Sequence, residues 1–280
     1  MAVGRRKRGW ALALWFGALL ALGYASLIGF VWISRTQFDI KSDALDEARH
    51  ITVFGVSREM PRLQSVVVYA LDGENHRNGL MPAAHGLVMA LLNGQPSPLV
   101  VAVHNNGKRD VDFRPERVKP ASWRPDIEGR SPAFDVFLMR ELRPEIERRF
   151  GKTKRRFLFG HSLAGFYVLD MPTRSVSHRF NGLFAFSPTV SHDLSLIGRL
   201  RTACTNSRHL YVNIGLESGR DTDIFGRAER ELARNPACQG KTSLSHHRGM
   251  VHQIVMLTGQ IEAFCQIYSI KLTRRRTDHR

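Results

Sequence analysis

The sequence contains few cysteines, with three in 280 residues, and this scarcity excludes a fold built on a disulfide framework. None of the three stands at the spacing of a zinc-binding motif, so we predict no metal site and no cofactor. In an oxidising compartment Cys204 and Cys238 could pair, which would leave Cys265 over. The chain also has no internal repeat, and no low-complexity linker follows residue 36.

The sequence also has few acidic residues relative to basic ones. It contains 25 Asp and Glu and 41 Lys and Arg, which gives a formal charge of +16. Part of the excess lies in a cluster at 5–8 and part in a basic tail at 271–280. The remainder falls on the rest of the chain and favours an anionic substrate. We expect no nucleic-acid partner, since no base-reading motif is present.

The N-terminus carries a long apolar run. Residues 1–9 are basic and predict a cytoplasmic end, while 10–33 form an uncharged, mostly apolar run of 24 residues. A helix of that length rises about 36 Å, which spans the hydrocarbon core of a membrane. We therefore predict a transmembrane signal anchor at 10–34 in the inner membrane, with the catalytic domain on the periplasmic side. A cleavable signal peptide, cut after Gly23-Tyr24-Ala25, is the alternative.

The remaining chain, 36–270, is predicted to form one catalytic domain, since 43% hydrophobic content can bury a single large core. Short apolar runs typical of buried strands alternate with helical patterns. We predict strands at 51–54, 65–71, 99–103, 157–159, 183–186, 210–214 and 242–247, and helices at 83–92, 134–150 (kinked at Pro144), 222–234 and from about 252 through 268. This alternation predicts an α/β fold with a mostly parallel central sheet and helices on both faces. In such sheets binding and catalytic sites lie at the carboxyl ends of the strands.

The strongest motif is Gly-His-Ser-Leu-Ala-Gly at 160–165, between an apolar run and helix-forming residues. A strand that turns sharply into a helix holds a serine at the tip of the turn, and small neighbours let the two backbones pass. This pattern predicts Ser162 as a nucleophile. The alternative is a glycine-rich helix start that Ser162 caps.

A serine nucleophile needs a base and an acid, which in this fold follow it along the chain. His252, after the last predicted strand, is the preferred base. His246 and His247, slightly earlier and within that strand, are the alternatives, of which His247 is the main one. Glu217 is the preferred acid because it follows the strand at 210–214. Asp221 and Asp223, in the same loop, remain alternative acids.

The oxyanion hole is predicted to use the backbone N–H of Leu163 and a second N–H at Gly73, in the turn after an earlier strand. Arg109, in the polar loop after the strand at 99–103, has two interpretations. It either forms a buried charge pair with Asp112 that holds the loop, or it contacts an anionic substrate.

The order and spacing of these motifs resemble the Putative esterase family of α/β-hydrolases, which includes enterochelin-type siderophore esterases, esterase D and the antigen 85 mycolyltransferases. The matching segments are 42–53, 69–74, 109–115, 160–165, 186–188 and 215–217. The resemblance implies an α/β-hydrolase fold, Ser162 and His252 as the catalytic pair, and an acid after the strand at 210–214. Within the family it is similar to periplasmic siderophore esterases, which can carry an N-terminal membrane anchor.

We therefore expect a serine hydrolase that cleaves a carboxylic ester, of siderophore type or otherwise anionic, through an acyl-enzyme on Ser162. An acyltransferase would use the same acyl-enzyme and pass it to an alcohol. A binding protein that kept the fold without catalysis is the alternative from a different class.

Overall fold

One eight-stranded sheet lies at the centre of the computed structural model, which describes residues 2–55, 66–174, 179–200, 204, 209–216 and 219–277. The strand order across the sheet is β1-β2-β4-β3-β5-β6-β7-β8. The strands are β1 (Thr36–Ser42), β2 (Glu47–Phe54), β3 (Val66–Leu71), β4 (Leu99–Val103), β5 (Arg155–His161), β6 (Gly182–Phe186), β7 (Leu210–Leu216) and β8 (Thr242–Val251).

Most of the sheet is parallel, as predicted. β1 and β2 pair antiparallel, β2 and β4 pair antiparallel, and every other neighbouring pair is parallel. All residues of β3, β4 and β6 are buried. Helices cover both faces of these strands, so their sequences are apolar throughout rather than alternating.

Helices pack on both faces of the sheet and form two separate cores. They are α1 (Ala2–Ile33), α2 (Leu80–Leu92), α3 (Arg109–Asp112), α4 (Ser131–Val136), α5 (Arg143–Phe150), α6 (Leu163–Asp170), α7 (Leu196–Arg199), α8 (Gly219–Arg234) and α9 (His252–Thr277). α2 and α9 bury their apolar side chains in one core. α4, α5, α6 and α8 contribute to the other. The sheet lies between the two cores and presents the carboxyl ends of its parallel strands at one edge.

Several elements differ from the sequence prediction in extent. β1 was not predicted, since the first strand expected from the sequence was at 51–54. β8 runs four residues beyond the predicted end at 247. α9 continues to Thr277, so the predicted basic tail is helical up to that residue. The boundaries of the predicted catalytic domain, 36–270, stay predictions.

A π-helical segment, Phe137–Leu142, lies between α4 and α5, just before Pro144, where a kink is predicted. Proline has no N–H to donate to the carbonyl four residues earlier, so a regular α-helix cannot continue through it. The wider π turn accommodates this loss, and the apolar side of the helix stays in the core.

Across the described ranges of the chain, no helix combines the length and apolar character required to cross a membrane. The transmembrane anchor predicted at 10–34 is therefore not supported.

The C-terminal end of α1 contacts the rest of the protein. Val31 is buried in the same core as α2, and the Tyr24 hydroxyl donates to Met81 Sδ at 3.1 Å. The Trp32 ring lies edge-on to His76, with centroids 5.3 Å apart. These contacts join α1 to α2 and to the loop that follows β3.

Candidate active site

Ser162 lies at the tip of the sharp turn between β5 and α6, as the motif predicts. Its backbone has φ 59° and ψ −118°, a conformation that L residues with a side chain rarely adopt. The Ser162 N–H donates to the carbonyl of Phe186 on the neighbouring strand at 3.0 Å. The surrounding structure therefore holds the strained turn in place and presents the serine at the carboxyl edge of the sheet.

Small residues around the turn let β5 and α6 pass closely. A Cβ on Gly160 would lie 2.3 Å from the Ala164 carbonyl oxygen, and one on Gly165 would lie 2.9 Å from that of Phe186. Both distances are shorter than side chains tolerate, so these two positions require glycine. Ala164 is fully buried and fits the space.

The Ser162 hydroxyl contacts a residue that sequence reasoning missed. Its Oγ lies 3.1 Å from Thr189 Oγ1, and the Thr189 N–H donates to the Ser162 carbonyl at 3.2 Å. Thr189 follows Ser187-Pro188 at the end of β6, so the only sequence signal was its place after a predicted strand.

His252, the predicted base, contacts His161, the residue that precedes Ser162. It is the first residue of α9 and is half-buried. His161 Nε2 donates to the His252 carbonyl at 2.9 Å, and the two rings lie 4.5 Å apart. Because His161 precedes Ser162 directly, these contacts bring His252 to the strand end that carries the serine.

The alternative histidines have other partners. His246 Nε2 lies 2.8 Å from Glu229 on α8, and His247 Nε2 lies 3.2 Å from Glu262 on α9. Both stand within β8, as expected for residues before the strand end. The assignment of His252 as the base, with His247 as the main alternative, stays a prediction.

Of the three candidate acids, the structure describes Asp221 and Asp223. Glu217 lies outside the described residues. Asp221 is in the first turn of α8, where Arg124 Nη2 lies 3.5 Å from its Oδ2, and Asp223 is exposed on the same helix. The assignment of Glu217, with Asp221 and Asp223 as alternatives, stays a prediction.

Of the two predicted oxyanion donors, the Leu163 N–H stays a prediction. Leu163 is the first residue of α6, where a helical N–H has no acceptor within the helix. Gly73 requires a correction, because its N–H donates to the Val103 carbonyl at 2.8 Å and is not available. Glycine is needed there for a different reason. A Cβ would lie 2.5 Å from the carbonyl carbon of Ala102 on β4.

Arg109 also requires a correction, since its partner is Asp72 and not Asp112. Arg109 Nε lies 2.9 Å from both Asp72 carboxylate oxygens, and its Nη2 donates to the His161 carbonyl at 3.2 Å. Burial raises the pKa of Asp72, and the Arg109 charge opposes that rise. Asp112 instead pairs with Arg49 and Arg130, at 2.8 and 2.7 Å. Arg109 thus ties the loop after β4 to the ends of β3 and β5.

A buried group beyond Thr189 was not predicted at all. Arg114 Nη2 lies 2.6 Å from His192 Nδ1, and Arg124 Nε donates to Ser191 Oγ at 3.2 Å. Burial lowers the pKa of His192 to about 3, helped by the positive charges of Arg114, Arg124 and Arg109. Arg114 and His192 are 78 residues apart in the chain, so no sequence pattern connects them.

The described part of the chain contains no group of His, Cys, Asp and Glu side chains that could hold a metal ion.

Comparison with known proteins identifies the family. The model of the family called "Putative esterase" matches residues 42–244. No curated protein matches the chain.

Solved structures share the fold at low sequence identity. An IroE-like serine hydrolase from Shewanella oneidensis has a TM-score of 0.66 and 18% identity, covering 84% of this chain and 80% of its own. The siderophore hydrolase EstB from Aspergillus nidulans has a TM-score of 0.64 and 17% identity, covering 83% and 93%. A structure described as the enterobactin and salmochelin hydrolase IroE has a TM-score of 0.60 and 21% identity, covering 84% and 94%.

Proposed function

The chain belongs to the Putative esterase family and is a hydrolase of the esterase type, and on this premise we propose that it cleaves carboxylic esters through an acyl-enzyme on Ser162. The observation that carries the proposal is the backbone of Ser162, held at φ 59° between β5 and α6. Strain of this kind persists where the surrounding structure enforces it, most often at functional sites.

The proposed reaction follows from the residues at the edge of the sheet. Ser162 Oγ attacks the ester carbonyl, and His252 takes its proton and then gives it to the leaving alcohol. In the second step His252 takes a proton from water, which attacks the acyl-enzyme. The ester bond to Ser162 breaks, His252 returns the proton to Ser162 Oγ, and the carboxylic acid is released. The Leu163 N–H stabilises the oxyanion, a contribution of about 3 kcal/mol for one such donor. Glu217, or else Asp221 or Asp223, orients His252.

The proposed substrate is an anionic ester, of siderophore type or another kind. Two structures with similar folds are described as a siderophore hydrolase and as an enterobactin and salmochelin hydrolase, and the chain carries a formal charge of +16. Positive charge near a site raises the local concentration of anionic substrates.

We also propose that the enzyme works outside the cytoplasm. Cys204 and Cys238 form a disulfide, and both are fully buried. Structural disulfides persist in oxidising compartments. Thiol counting on the protein from a periplasmic extract checks this, and three free thiols there would contradict it.

Labelling with a fluorophosphonate tests the nucleophile. The folded wild type should be labelled on Ser162. Ser162→Ala should not be labelled, and its rate of ester turnover should fall by a factor on the order of 10⁴–10⁶. Ser97→Ala, in the loop before β4, is the matched control and should keep both. A labelled Ser162→Ala variant, or a wild type that resists labelling, would refute the proposal. Product analysis with added alcohols separates hydrolysis from acyl transfer.

A further inference from the structure

Arg114, Arg124 and His192, here called the His192 cluster, lie at the same edge of the sheet as Ser162. Thr189, whose hydroxyl contacts that of Ser162, directly precedes the 3₁₀ turn Val190–His192. Three residues of a 3₁₀ helix rise about 6 Å. The imidazole of His192 is therefore one short turn away from a residue that contacts the nucleophile.

The contact with Arg114 determines which nitrogen of His192 carries the proton. A guanidinium has donors only, so His192 Nδ1 accepts the hydrogen bond and the proton of the neutral ring is on Nε2. Within the part of the chain that the structure describes, Nε2 makes no hydrogen bond. The surroundings that keep the ring uncharged thus also make it a fixed N–H donor.

Arg114 is almost fully buried, and its hydrogen-bond partners do not use all of its N–H donors. It is 1% exposed, and its Nε is buried without a hydrogen-bond partner among the described residues. Its two Nη atoms reach the Pro125 carbonyl at 3.3 Å and Asp110 at 3.4 Å, besides His192. Since an unmet buried donor costs free energy, an acceptor bound here would recover part of that cost.

Three arginines and one carboxylate shift the pKa of His192. Arg114, Arg124 and Arg109 all lower the pKa of His192, and Asp221 is the opposing carboxylate. Asp221 contacts Arg124 at 3.5 Å, and Asp110 is mostly exposed. Both ion pairs are long, so they leave donor capacity on the two arginines.

We propose that the His192 cluster is a binding subsite for a carboxylate on the ester substrate. Its donors are His192 Nε2 and the guanidinium groups of Arg114 and Arg124, and planar guanidinium groups match carboxylate oxygens well. This inference rests on the proposed esterase function. If the cluster serves only to hold the loop at 115–125 against the 3₁₀ turn, it does not distinguish anionic from neutral esters.

Two matched pairs of esters test the subsite on either side of the scissile bond. On the leaving-group side, 3-acetoxybenzoate is compared with 3-acetoxybenzamide. On the acyl side, the 4-nitrophenyl monoester of adipate is compared with 4-nitrophenyl hexanoate. The full chain is assayed at constant low ionic strength as wild type, Arg124→Gln, His192→Gln and Arg227→Gln. Arg124 is 27% exposed, so its replacement should fold, and Arg227 is an exposed arginine on α8.

The wild type should prefer the carboxylate ester in at least one pair, mainly through KM. Arg124→Gln should lower kcat/KM for that ester about tenfold or more, as for a lost hydrogen bond to a charged group. Its effect on the neutral partner should be within about twofold, and Arg227→Gln should leave both esters within that range. His192→Gln keeps an N–H donor and should retain more of the preference than Arg124→Gln. Equal losses on both esters, or no preference in either pair, would overturn the subsite.

Calorimetry separates a failure of the subsite from a failure of the proposed function. 3-Hydroxybenzoate should bind Ser162→Ala, and binding should weaken about tenfold or more when Arg124→Gln is added. 3-Hydroxybenzamide should bind more weakly and should not respond to Arg124→Gln. A protein that is labelled on Ser162 and hydrolyses neutral esters without any carboxylate preference refutes the subsite alone. A protein that resists labelling and turns over no ester refutes the proposed function, and calorimetry then decides on the subsite.

Discussion

The disulfide between Cys204 and Cys238 offers a quantitative test of how the second half of the domain is stabilised. It joins the segment before β7 to the segment before β8, with a Cα–Cα distance of 5.0 Å. Both strands run parallel, so the bridge lies near their amino ends. The candidate active site lies at the carboxyl ends, which predicts an effect on stability and not on turnover.

The magnitude follows from the length of the loop that the bridge closes. The two cysteines are separated by 34 residues. By restricting the unfolded chain, a bridge over that length raises the free energy of unfolding by about 4 kcal/mol at 25 °C. For a domain of this size each kcal/mol moves the melting temperature by about 2–4 °C. Loss of the bridge should therefore lower Tm by roughly 8–16 °C.

The assay compares thermal unfolding of the oxidised wild type, the reduced wild type and the Cys204→Ala/Cys238→Ala double variant. Reduction should bring the wild type close to the double variant, while kcat/KM stays unchanged at temperatures where all forms are folded. Cys265→Ala is the control, because Cys265 is exposed and unpaired, and its Tm should not move. Equal Tm values for oxidised and reduced wild type would refute the reasoning.

Two further predictions concern charged groups at the edge of the sheet. Arg109→Met leaves the Asp72 carboxylate, 5% exposed, without its ion pair, and should lower the free energy of unfolding by about 3 kcal/mol in urea. Adding Asp72→Asn should restore part of that loss, and a fully additive loss would contradict the pairing. Because the pKa of His192 is lowered to about 3 in the folded protein, only the unfolded chain binds its proton between about pH 6.5 and pH 3. Stability should therefore fall as pH falls through this window, by up to about 1.4 kcal/mol per unit. His192→Gln should show a weaker fall in urea midpoint between pH 7 and pH 5, and an unchanged fall would contradict the assignment.

Features of the fold that depend on short stretches of chain could be predicted from the sequence. The continuous apolar runs at 65–71 and 99–103 correspond to β3 and β4, because a strand covered by helices on both faces needs apolar side chains throughout. The turn at Ser162 was predictable for a similar reason. Its backbone geometry demands small residues at 160 and 165, and these are neighbours in the chain.

Pairings between distant segments could not be predicted, because they depend on which strand ends become neighbours. β3 lies between β4 and β5 in the sheet, so the loop after β4 brings Arg109 to Asp72 and to the His161 carbonyl. The same arrangement assigns the Gly73 N–H to β4 and leaves it unavailable as an oxyanion donor.

The amino-acid sequence by itself determined the alternation of strands and helices, the family and the candidate nucleophile, since each follows from local pattern and local backbone geometry. Only the tertiary structure decided that Thr189 contacts the nucleophile, which carboxylate neutralises Arg109 and that Arg114 holds His192. A side chain's partner, burial and charge depend on the packing of segments far apart in the chain. Local propensity carries no information about that packing.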